Sequence, residues 1–132
     1  MDTGLEHIAG IVVDCGFKLH EAMGPGLLES VYEICLEDDL IARGLRVARQ
    51  VRVPIRYKSR VFDEGFRADL VVEQRLLIEL KSTEKHAPVH VKQVLTYLRL
   101  MNLPLGFPIN FGAPTFREGV KRLANNYYRD PR

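Results

Sequence analysis

Three residues near the middle of this sequence could do chemistry together: Asp69, Glu79 and Lys81. The segment between them reads as two short apolar strands, 70–72 and 76–78, joined by a polar turn at 73–75. A hairpin symmetric about Gln74 sets Val71 against Leu77 and Asp69 against Glu79. Directly opposed residues of an antiparallel pair have Cβ atoms about 4.5–5.5 Å apart. Glu79 and Lys81 are two apart on one strand and share its face. Two carboxylates and one ammonium therefore meet at one end of the hairpin. Like charges set opposite each other are destabilising. A divalent cation is the simplest group that would offset them.

The same spacing, Asp69, nine residues, then Glu79-Leu80-Lys81, resembles the signature of the PD-(D/E)XK nuclease superfamily. Other segments resemble one branch of it, the GxxExxY proteins: Gly26-Leu27-Leu28-Glu29-Ser30-Val31-Tyr32, then His90-Val91-Lys92-Gln93 with Tyr97-Leu98, and later Ile109-Asn110-Phe111-Gly112. The resemblance spans about residues 21 to 123 and implies a restriction-endonuclease-like α/β/α fold. It implies phosphodiester hydrolysis in nucleic acid, with DNA the expected substrate and Mg²⁺ (or Mn²⁺) the expected cofactor. Asp69 and Glu79 would be metal ligands, the Leu80 carbonyl a third oxygen, and Glu29 a further acidic ligand pointed at the pair, reaching the metal directly or through water. Lys81 would orient the attacking water or offset charge on the phosphate. Gln93 and Tyr97, four apart on a predicted helix, resemble the Q-x-x-x-Y element of RecB-like exonucleases and would position the substrate or Lys81. The alternative from a different class is a nuclease fold that is catalytically weak or inactive and serves as a binding or scaffold module. The residues leave open DNA against RNA, strandedness, endonuclease against exonuclease action, and a homodimer or protein partner.

The elements that must hold these residues follow from periodicity. Leu5, Ile8, Ala9, Val12, Cys15, Leu19, Ala22 and Met23 have helical spacing and predict a first helix over 3–22. Met23-Gly24-Pro25-Gly26 ends it. A second helix is expected over 27–43, with Leu27, Leu28, Val31, Ile34, Cys35, Leu36 and Leu40 inward. Val51, Val53, Ile55 and Tyr57 alternate with polar residues and predict a strand. Pro54 lacks a donor and puts that strand at an edge or a bulge. The segment 58–65 reads as a polar turn region before the central hairpin. The hairpin strands are apolar on both faces, so the sheet should be covered on both sides. Pro88 opens a helix to about residue 102. A last strand over 106–111 contains Pro108, which suggests an edge or an irregular strand. Pro114 opens a final helix to about 128, with Phe116, Val120, Leu123 and Tyr127 inward. The order α-α-β-β-β-α-β-α predicts an α/β protein with a central mixed four-stranded sheet in one domain over 1–132.

Charge is unevenly distributed. Residues 29–39 carry five acidic side chains and no basic one, whereas residues 43–60 carry seven basic side chains and no acidic one. The basic block suggests a phosphate-contacting surface, with Arg49, Arg52 and Arg56 as the nucleic-acid-binding residues. No apolar run approaches the ~20 residues of a membrane span, and no secretory signal is apparent, so a cytoplasmic location without membrane contact is expected. Cys15 and Cys35 fall on apolar helix stripes and read as free thiols.

Overall fold

The computed structural model describes residues 3–85 and 87–127. Two helices, α1 (Thr3–Met23) and α2 (Glu29–Ala42), come first. Three strands follow: β1 (Val47–Tyr57), β2 (Arg60–Val72) and β3 (Leu76–Lys81). Then come α3 (Pro88–Met101), β4 (Leu105–Asn110), a single-turn α4 (Phe116–Gly119) and a two-residue β5 (Leu123–Ala124). The sheet runs β1-β2-β3-β4-β5, with only the β3–β4 pair parallel. That parallel pair needs a crossover, and α3 supplies it.

Each sheet face has its own core. Leu70, Val72, Leu76, Ile78 and Leu80 pack with Leu5, Ile8, Val12, Tyr32, Leu36 and Leu40 of α1 and α2. Val71 and Leu77 pack with Val94 and Leu98 of α3. The layers are thus α1/α2, sheet, α3, and β3 is buried on both faces, as its unbroken apolar run requires.

Four details differ from the sequence expectations. The sheet has five strands, not four, because the chain beyond α4 does not continue as a helix. A Cβ on Gly119 would lie 2.2 Å from the Asn110 carbonyl oxygen, so the backbone passes close against β4 there. Val120 then bridges Ile109, and Leu123–Ala124 pairs with Leu105–Gly106. The expected helix end at residue 128 lies outside the described residues. Second, residues 58–65 are not a turn region: Lys58 and Ser59 make a two-residue turn, and β2 already begins at Arg60. Third, α2 starts at Glu29 with Leu28 as an exposed cap residue, and its buried face is Tyr32, Glu33, Leu36 and Leu40 rather than one including Ile34. Fourth, Pro108 is buried inside the sheet between β3 and β5. Phe111 N–H donates to the Lys81 carbonyl on the β3 side, whereas the Pro108 carbonyl accepts from Lys121 on the other side. The donor that Pro108 lacks therefore faces away from β3, and the β3–β4 ladder loses nothing.

Pro54 meets both expectations for it. β1 is an edge strand, and the β1–β2 register shifts between Val53 and Ile55. Cys15 is buried and Cys35 half-buried, both as free thiols. Among the described residues no helix is long and apolar enough to cross a membrane.

Candidate active site

The hairpin register is the one the symmetry about Gln74 requires: Leu70 pairs Ile78, Val71 pairs Leu77 and Val72 pairs Leu76. One step further along, Asp69 and Glu79 face each other. Asp69 N–H donates to Glu79 Oε1 at 3.2 Å, and Leu80 N–H donates to Asp69 Oδ2 at 2.8 Å. A strand residue sends its carbonyl to the same side as its N–H, so the Leu80 carbonyl also opens toward Asp69. Lys81 is half-buried at the end of β3 and has no ion pair among the described residues.

The local fold places Asp69 where the β1–β2 ribbon changes faces. On β1, Val47 packs into the α1/α2 core but Val51 and Val53 pack into the α3 core. On β2, Leu70 and Val72 join the α1/α2 core but Phe66 and Ala68 join the α3 core. Strand alternation would keep each of these sets on one face. The ribbon therefore changes faces at Gln50 and Asp69, which lie opposite each other between the Arg49–Leu70 and Val51–Ala68 pairs. Gln50 has φ 56°, a left-handed backbone that only an overdetermined position sustains for a non-glycine residue. Its amide donates to Asp69 Oδ1 at 3.3 Å and to Glu33 Oε1 at 2.8 Å.

Glu33 is thus the α2 carboxylate that joins the cluster. It is buried, and Arg49 also donates to it at 3.3 Å. Glu29, the acidic residue singled out by the sequence, is exposed one turn earlier and takes no part in these bonds. The rotation of α2 decides this: Tyr32, Leu36 and Leu40 are fully buried, and Glu33 follows Tyr32 inward. Tyr32 itself is a structural clamp. Its hydroxyl donates to the Gly24 carbonyl and accepts from Leu27 N–H, and its ring stacks on Phe111 at 4.4 Å.

Electrostatically the cluster is unresolved. Burial pushes the Glu79 carboxyl up to about 9, and the negative charge of Asp69 adds to that; Lys81 pulls the other way. Burial also raises Glu33, with Asp69 again contributing, against the hydrogen bonds from Gln50 and Arg49. Two carboxylates in this state cannot both ionise cheaply without a cation. The donors present are hard oxygens: Asp69, Glu79, the Leu80 carbonyl, and Glu33 beyond Gln50. Among the described residues, no three acidic, histidine or cysteine side chains close a shell by themselves. Hard oxygen donors of this kind are the ones a divalent cation such as Mg²⁺ takes.

Of the other sequence candidates, Tyr97 is half-buried on α3, and burial, then the charges of Glu79 and Asp69, raise the pKa of its phenol. Its ring stacks on Phe66 at 3.8 Å and 8°. Gln93 is half-buried one turn earlier on α3. Arg49 is not free for a substrate, because it pairs with Glu33 and Glu37 of α2. Arg52 lies 3.9 Å from Glu64, whereas Arg56 is exposed and without an ion pair among the described residues. Asn110 is structural: its side chain accepts from Thr83 and Gly112 N–H and donates to the Thr83 carbonyl, fastening the segment after Lys81. A Cβ on Gly112 would meet Thr83 backbone at 2.3 Å, so that glycine permits the close approach. Sequence reasoning missed Gln50 and Glu33.

The family model of the PD-(D/E)XK nuclease superfamily matches residues 6–123. No curated protein and no solved structure matches the chain.

Proposed function

We propose that this chain, which belongs to the PD-(D/E)XK nuclease superfamily, is a metal-dependent nuclease that hydrolyses phosphodiester bonds in DNA. The observation that carries the reading is the Asp69–Glu79 pair opposed across β2 and β3, with Lys81 two residues further along the same strand. Superfamily membership supports nucleic acid as the substrate and a divalent ion as the cofactor. Asp69, Glu79 and the Leu80 carbonyl are the residues that would hold Mg²⁺ or Mn²⁺. When bound, the ion would act as a Lewis acid on a phosphate oxygen and lower the pKa of a coordinated water.

The protein groups have separable roles. Lys81 donates to the attacking water or to a non-bridging phosphate oxygen, and offsets the charge that builds up as the P–O bond forms. Glu33 acts on Asp69 through Gln50, whose single amide group donates to both of these carboxylates. Tyr97 offers a hydroxyl from the α3 side, and Gln93, four residues before it, offers an amide to the substrate backbone. Phe66 keeps the Tyr97 ring in a fixed plane.

Cleavage over a panel of single- and double-stranded DNA and RNA, with Mg²⁺ and with Mn²⁺, tests this reading. Wild type is expected to cleave at least one form in a metal-dependent manner. Lys81→Ala removes a preorganised cation and should slow single-turnover cleavage by about 10²–10³-fold. Wild-type inactivity on every form, or a Lys81→Ala variant as fast as wild type, would leave the scaffold reading in its place.

A further inference from the structure

Beyond the Pro54 irregularity the β1–β2 ribbon leaves the body of the protein. The tip carries three cations, Arg56, Lys58 and Arg60, and no acidic residue between Ile55 and Phe62. It also exposes large apolar groups where burial would be expected: Tyr57 is 65% exposed and Phe62 51%. Register places them together. Ile55 pairs Phe62 and Tyr57 pairs Arg60, so Tyr57, Arg60 and Phe62 share one face of the ribbon. Tyr57 and Phe62 are diagonal neighbours there, with backbones about 7–8 Å apart. Lys58 Nζ lies 5.3 Å from the centre of the Tyr57 ring.

Arg60 shares the face of the two exposed rings, Lys58 lies over one of them from the turn, and Arg56 sits on the other face opposite Val61. Rings with cations beside them match one chemistry well. Unpaired nucleobases stack on aromatic side chains while the phosphates between them meet the cations. A second copy of this chain fits poorly. β1 is an edge strand, but Pro54 removes a donor from it, and two-fold antiparallel pairing about Pro54 would set Arg52 against Arg56 of the second copy, devices that discourage edge-to-edge pairing. A stacked duplex offers its base edges and backbone to a ribbon, not its base faces, so it leaves Tyr57 and Phe62 unused.

We infer that the β1–β2 tip is a stacking platform for unpaired bases, so that the substrate of the site carries a single-stranded segment. The inference rests on the nuclease reading for its substrate class. Phe62 is seven residues from Asp69 along β2, which puts the platform at most about 23 Å from the paired carboxylates. The bases it holds are therefore several nucleotides away from the scissile bond, and the platform selects substrate without touching the reacting atoms.

The test compares the binding of two 12-nucleotide strands by fluorescence anisotropy in chelator, where no metal-dependent cleavage occurs. One is oligo-dT and the other an abasic strand of the same length and charge. Wild type should prefer oligo-dT by about tenfold or more, the scale of base stacking on an aromatic side chain. Tyr57→Ala with Phe62→Ala should abolish that preference while leaving abasic-strand affinity and the unfolding midpoint unchanged. Tyr57→Phe with Phe62→Tyr, which keeps both rings, should retain it. Equal wild-type affinity for the two strands would overturn the inference, and so would a preference that survives the double alanine variant. An acidic peptide that binds wild type as tightly as oligo-dT would also overturn it, assigning the tip to a protein partner. Should metal-dependent cleavage be absent while the base preference holds, the nuclease reading fails and the platform stands.

Discussion

β3 and the outer β1–β2 ribbon belong to one sheet and treat charge in opposite ways. On β3, Leu76 to Leu80 are buried, with leucines and isoleucine in the cores on both faces, and the one acidic residue among them, Glu79, is buried and bonded to Asp69 N–H. On the ribbon, Arg56, Lys58 and Arg60 stand in solvent beside exposed rings and touch no core. In the first region packing forces an electrostatic conflict that the fold alone does not resolve. In the second nothing is forced, and the charges are free to meet a ligand. Chemistry is built where the chain is overdetermined, and recognition where it is not.

The largest expected contrast is in stability. Ile78 is fully buried and Val61 is 55% exposed. Ile78→Ala should cost about 2–5 kcal/mol in urea unfolding, whereas Val61→Ala should stay within about 0.5 kcal/mol. Equal losses would mean that the ribbon is as firmly packed as β3, and the contrast would be gone.

A smaller effect sharpens the account of β3. Glu79 has a raised pKa when folded and an ordinary one when unfolded, so between about 4.5 and 9 the folded state binds the extra proton. Stability in chelator should therefore be fully present below about pH 4.5 with respect to this group and fall as pH rises toward 9. Glu79→Gln removes the ionisable group and should stabilise the metal-free protein at pH 8 by about 1–3 kcal/mol, with little change at pH 5. Thermal unfolding at the two pH values measures this, and a variant less stable than wild type at pH 8 contradicts it.

The smallest effect separates two arginines on the same strand. Arg56 has no acidic partner among the described residues, whereas Arg49 is held by Glu33 and Glu37. Arg56→Gln should reduce the slope of log affinity against log salt for single-stranded DNA by roughly 0.7, the value for one phosphate contact on a single strand. Arg49→Gln should leave the slope near the wild-type value. The reverse result would assign phosphate binding to the wrong end of the ribbon.

Much of the site is visible in the sequence because two short apolar runs around a polar turn have only one symmetric register. That register delivers Asp69 opposite Glu79 without further information. The third carboxylate was not legible in the same way. Glu29, Glu33 and Glu37 repeat every four residues, and only the depth of Tyr32, Leu36 and Leu40 shows which of them turns inward. Gln50 left no signal, since its role depends on a left-handed φ and a change of sheet face. The outer half of β2 was hidden because residues 60–65 are exposed on both faces and carry no alternation. The last helix failed for the opposite reason. Phe116, Val120 and Leu123 have helical spacing, yet contact of Gly119 with the Asn110 carbonyl directs the chain into β5.

The central claim is that the opposed carboxylates exist to hold a divalent ion. Isothermal titration of wild type, Asp69→Asn and Lys81→Ala with Mn²⁺ tests it most directly. Wild type should bind; Asp69→Asn, which keeps the shape but removes a charged ligand, should bind about tenfold more weakly or worse; and Lys81→Ala, which removes no ligand, should bind at least as tightly as wild type. A wild-type protein that binds no ion, or an Asp69→Asn variant that binds as tightly as wild type, would contradict the account.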